Sequence, residues 1–155
     1  MVQWGGYAQF IRGQLIAHLL VTLAYVGTGK LALLLAVPPG YASPIFPPAG
    51  IAVAAVLIGG PASLPWIFLG SLLLNGWIGY SVNHQIDEIG LVAAVVIAAA
   101  STAQAATGGS ALRRAVGYPA SLDNSRDLSF FLLLSPLFCL TSATLSLVGL
   151  LALAS

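Results

Sequence analysis

Few side chains here could do chemistry, and most of those lie in apolar runs. Lys30 stands seven residues before Val37, roughly 10 Å inside one end of a long apolar stretch. An ammonium at that depth is costly and marks a functional position by default. Its four-carbon stem could equally carry the charge out to the interface. No carboxylate in that stretch can pair with it, and Asp87 and Glu88 are the acids on its side. His18 stands alone and reads as an interhelical hydrogen-bonder. His84, the other histidine, has no cysteine or acid at ligand spacing, so no metal site is expected. The single Cys139 sits among apolar residues and is expected to be a small buried hydrophobe, outside any disulfide. The sequence has no Ser/His/Asp set, no phosphate loop with a lysine and no HExxH. Neither catalysis nor a cofactor is therefore expected.

The strongest candidate for binding is a break in the hydrophobic pattern. PPGYASPIFPPAG, from Pro38 to Gly50, holds five prolines and cannot be regular helix. At membrane depth such backbone is tolerated where it is buried in protein or lines a cavity, and the half-helix that follows presents free amides. Pro47 and Pro48 remove two donors, while Ala49, Gly50 and Ile51 can offer theirs. Tyr41 and Phe46 supply aromatic walls. The candidate ligand residues are thus Lys30, Tyr41, Phe46, Ala49, Gly50, Asn75 and Trp77, with a rigid structural plug as the alternative.

The elements that must position these residues follow from composition. Of 155 residues, 59% are hydrophobic and 6% charged, and mean hydropathy is +0.99. Soluble domains carry about 25% charged residues, so this is an all-α polytopic membrane protein. A soluble enzyme, a nucleic-acid binder and a disordered chain are excluded. The first apolar run is too long for a cleavable signal. Spans of about 20 residues are expected over Ile11–Val37, Leu64–Tyr80, Ile86–Leu112 and Leu128–Ala154, the last with a kink at Pro136. Between Pro38 and Gly60 the apolar helix Pro48–Ile58 has eleven residues, a rise of about 16 Å, half the hydrocarbon thickness. It either returns to its own side or crosses together with the Pro-rich run. Crossing gives five spans and places Arg12, Arg113, Arg114 and Arg126 all in the cytoplasm, as the positive-inside rule requires. The N-terminus is then cytoplasmic, and Ser155 lies outside.

Three stripes describe the packing. Gln14, His18, Thr22, Tyr25 and Gly29 share one face of the first span, with Leu15, Leu19, Val26 and Leu33 elsewhere. In the fourth, Gly90, Ala94, Ala98, Thr102, Ala106 and Ser110 form a small-xxx-small stripe for close helix packing, with Gln104 beside it. Ser135, Thr141, Ser142, Thr144 and Ser146 suit helix-to-helix hydrogen bonds in the last. Trp77 and Tyr80 form an aromatic belt.

The run Gly29–Gly50, GKLALLLAVPPGYASPIFPPAG, resembles the first type of the membrane-associated sensor domains, the MASE family. IFLGSLLLN (Ile67–Asn75) and ALRRAVGYP (Ala111–Pro119) are similar to it as well, as is the segment up to Ala154. The resemblance implies a single sensor-type domain over 1–155 in the bacterial inner membrane. It also implies a cytoplasmic histidine kinase or diguanylate cyclase output, in a longer chain or as a partner. Two departures stand out: Phe46 replaces the family's usual tryptophan, and the family has more predicted spans than five. The chain is then either a module truncated at its C-terminal end or a short stand-alone relative, the odd span count favouring truncation because the usual output domains are cytoplasmic. The leading expectation is a sensory input module for a small ligand, lipid or partner protein. The alternatives are a small-molecule binding subunit of a transporter and an anchor that dimerises through the Gly90 stripe. Beyond the bilayer, a homodimer is a possible assembly and nucleic acid is not an expected partner.

Overall fold

The computed structural model describes residues 4–35, 46–84, 88–116 and 125–154. Tyr41, Asp87 and most of the Pro-rich run therefore lie outside the described residues. Five helices follow in order: α1 Trp4–Leu33, α2 Pro47–Gly59, α3 Leu64–Asn83, α4 Glu88–Val116 and α5 Ser125–Ala154, with a 3-10 turn over Gly60–Ser63 between α2 and α3. No strand occurs among the described residues. Among the described residues three stretches are long and apolar enough to cross a membrane: Gly13–Leu33, Pro47–Val82 and Glu88–Arg114. Leu137–Ala152 is a shorter apolar helix.

Boundaries differ from the sequence reading where polarity and helix-forming ability part company. The first helix begins at Trp4 and stops at Leu33, short of Val37. The third continues through the polar Ser81–Asn83 and closes on His84, whose amide donates to the Tyr80 carbonyl at 2.8 Å and whose left-handed φ of 52° turns the chain out of the helix. Backbone hydrogen bonding, not hydropathy, sets these ends. The backbone of α5 stays helical through Pro136.

Helix directions can be read from side-chain contacts. Thr22 donates to the Trp66 carbonyl at 2.9 Å, Tyr25 lies across Gly70, and Gly29 meets Leu74. Lys30 meets Trp77. Numbers rise together, so α1 and α3 run parallel. Tyr25 also meets Phe46 edge-on at 6.4 Å. A continuous helix would hold Phe46 and Gly70 about 36 Å apart, so the chain reverses at the 3-10 turn. There Gly60 has φ +69° and ψ −160°, a conformation essentially reserved for glycine. The buried Ser63 hydroxyl tightens the turn by donating to the Ala55 carbonyl at 3.0 Å. Along α4, Val53 meets Gly108, Val56 meets Gly109, and Arg113 reaches Gly60, so α2 and α4 run parallel. Contacts Gly149–Val96 and Gln104–Cys139 make α5 antiparallel to α4.

The core gathers Tyr25, Ala52, Val56, Ile67, Leu74 and Ala105 from α1 to α4. Thr22, Tyr25 and Gly29 turn inward and His18 stacks on Trp66 at 5.7 Å, whereas Gln14 is exposed with Leu15 and Leu19. The face of α1 that could form hydrogen bonds is the face that meets α3. Leucines cover its outer side, as suits contact with lipid.

Candidate functional site

The site begins at the first turn of α2. Prolines at its first positions suit a helix start, since amides there have no intrahelical acceptor. Phe46 precedes them without a side-chain cap. The Ala49 amide, read from sequence as a free donor, instead donates to the Phe46 carbonyl at 3.2 Å, because the entering turn is tightened. Phe46, Ala49 and Gly50 therefore contribute surface. Added to Gly50, a Cβ would meet nothing within 4 Å.

That surface borders a cavity of about 460 Å³, within the range of small-molecule sites. α2 and α5 both pack on α4 but hardly on one another, and the space between them is the cavity. Val53, Ala54 and Leu57 continue the α2 wall, Gln104 and Leu112 come from α4, and Phe138 and Cys139 from α5. Gly108 keeps the walls close, since a Cβ there would lie 3.3 Å from the Phe138 ring and 3.4 Å from Val53. Gln104, 7% exposed, donates from Nε2 to Cys139 Sγ at 3.4 Å. Cys139 is exposed, contrary to the buried position expected from its apolar neighbours, because α5 turns it towards the gap beside α2.

The other candidates lie apart from this cavity. Lys30 Nζ sits 3.9 Å from the centre of the Trp77 ring, and both residues are exposed. Asn75 spends its amide within α3, donating to the Ser71 carbonyl at 2.8 Å and its hydroxyl at 3.3 Å. Of the fourth-helix stripe, Ala94 and Ala98 are fully buried, Gly90 and Thr102 are half-buried, and the Thr102 hydroxyl donates to Ala98 at 2.7 Å. A second recess near the α4 C-terminus, lined by Thr107, Ser110, Arg114 and Phe138, measures about 420 Å³.

The geometry thus divides the sequence's candidates into a cation–aromatic pair on α1 and α3 and an apolar cavity between α2, α4 and α5. Among the described residues no three His, Cys, Asp or Glu side chains gather as metal ligands would. What the cavity offers is shape, apolar contact and one amide. The family model of MASE1 matches residues 15–155. This chain belongs to the MASE1 family. MASE1 domains are membrane sensory domains typically linked to signalling outputs, and with its apolar helices the chain is a multi-pass membrane protein. Among curated proteins and among solved structures, nothing matches.

Sequence reasoning marked Phe46, Ala49 and Gly50 but missed Val53, Leu57, Phe138 and the Gln104–Cys139 bond. An amide in an apolar run was the available signal. Its partner lies 35 residues on, beyond any local pattern.

Proposed function

We propose that this MASE1 chain is the input module of a receptor in the bacterial inner membrane. A small ligand held between α2 and α5 would shift their packing on α4, and a cytoplasmic histidine kinase or diguanylate cyclase would read the shift. The observation that carries this is the cavity itself, whose α2 wall is a helix of 13 residues, about 20 Å long and short of the ~30 Å hydrocarbon core. The opposite wall, α5, is held chiefly by α4 among the described residues, so one occupant between α2 and α5 can change its position. A ligand shifts a two-state equilibrium only by its differential affinity for the two states.

Five crossings, with the N-terminus in the cytoplasm, fit this reading. The parallel α1–α3 and α2–α4 pairs support alternating passages, and the Arg113–Gly60 contact supports placing the α2 and α4 C-termini at one bundle end. Lys30 and Trp77 then act as an interfacial anchor at the other end. The anchor-and-dimer alternative draws less support, since Ala94 and Ala98 of its proposed interface are already covered within one chain. The test is output activity in the full-length receptor. Phe46→Ala, which removes one cavity wall, should change the response at unchanged protein level, and Phe46→Trp should preserve it. An unchanged response in folded Phe46→Ala would refute a ligand at this site.

A further inference from the structure

We infer that the α2–α4–α5 cavity binds a neutral, membrane-dissolved molecule that presents a carbonyl or hydroxyl group to Gln104. This rests on the sensory reading above and names the ligand's chemical class.

Depth decides the route. Gln104 and Cys139 lie close to the midpoints of α4 (Glu88–Val116) and α5 (Ser125–Ala154), so in a spanning bundle they sit near mid-membrane. Exposed Cys139 lines the cavity at that depth, beside α2. A ligand arriving there comes through the lipid, which excludes ions and strongly hydrated solutes by their desolvation cost. Among the described residues no charged side chain lines the cavity, so none of them would compensate a charged occupant.

Gln104 decides the polar group. A glutamine amide has two donors and an acceptor oxygen with two lone pairs. Among the described residues its one side-chain bond goes to a thiol sulfur, a weak acceptor, while the residue is only 7% exposed. Among the described residues no buried side-chain nitrogen or oxygen lacks a hydrogen-bond partner, so the unspent amide capacity of Gln104 is open to the apolar cavity it lines. A ketone or hydroxyl would use it, and the rest of the ligand would fill space between Val53, Leu57 and Phe138. A phospholipid acyl chain could enter the same gap, but it would gain nothing from Gln104.

The experiment uses benzophenone, a neutral lipophile with one carbonyl that inserts into nearby C–H bonds on illumination. The 155-residue chain is reconstituted in phosphatidylcholine vesicles, illuminated with the probe and mapped by peptide mass spectrometry. Labelling should concentrate on cavity-lining positions of α2, α4 and α5. Gln104→Leu should reduce it about five- to tenfold, the effect of losing one hydrogen bond. Gly50→Leu, which grows into open space, should reduce it as far without unfolding the chain. Labelling spread over all lipid-facing helices, or indifferent to Gln104→Leu, would overturn the proposal and mark the gap as lipid-filled. This assay contains no output domain, so its failure removes the ligand class and leaves the sensory reading to the output measurement. Cavity labelling in a full-length receptor whose output ignores benzophenone and every cavity variant would instead remove the sensory reading.

Discussion

The Lys30 ammonium lies 3.9 Å from the centre of the Trp77 ring, joining the last turn of α1 to the exposed side of α3. An exposed cation–aromatic contact contributes about 0.5–1 kcal/mol. Lys30→Met and Trp77→Ala should each lower thermal stability in detergent by about that much, and the double variant should lose little more. Output in the full-length receptor should be retained by Lys30→Met. Loss of response in a folded Lys30→Met protein would return Lys30 to the ligand site.

Ala98 is 0% exposed, on the face of α4 that packs inside the bundle. Ala98→Leu should overfill that contact at a cost of about 1–3 kcal/mol, seen as a lower melting temperature. Unchanged stability would mean that the neighbouring helices can part without penalty.

Gly60 ends α2 at φ +69°, where an added Cβ would also lie 3.0 Å from Arg113 Nη1. Gly60→Ala should therefore cost about 1–3 kcal/mol in backbone strain alone. Gly76→Ala, in open space on α3, should leave the melting temperature unchanged or slightly raised.

Reporter fusions test the direction of each helix. Those after Gly60 and Val116 should read cytoplasmic, and those after Asn83 and Ser155 periplasmic. A periplasmic signal after Val116 would contradict five alternating crossings.

The local physics was legible in the sequence. The polar stripe of α1 marked Thr22, Tyr25 and Gly29, which are buried, because hydrogen-bonding groups and small residues on one face avoid lipid. Paired prolines marked the start of α2, which runs Pro47–Gly59 against the expected Pro48–Ile58. What escaped was long-range. Lys30 was matched against carboxylates, whereas its partner is a ring 47 positions away. The cavity had no signature because it is a distance between two helices that share α4, and spacing along one helix does not encode the gap between two. Cys139 looked buried because its neighbours are apolar, yet in a membrane protein apolar neighbours face outward as readily as inward.

The central claim is that occupancy of the α2–α4–α5 cavity sets the output, and paired glycine substitutions test it most directly. Gly50 and Gly76 both have nothing within 4 Å of an added Cβ, and of the two Gly50 lines the cavity. In the full-length receptor, Gly50→Leu should act as a permanent occupant. It should shift basal output by about fivefold or more, the lower range of allosteric coupling, while Gly76→Leu leaves basal output at the wild-type level. Equal basal output from wild type and both variants, with all three folded and in the membrane, would contradict the account.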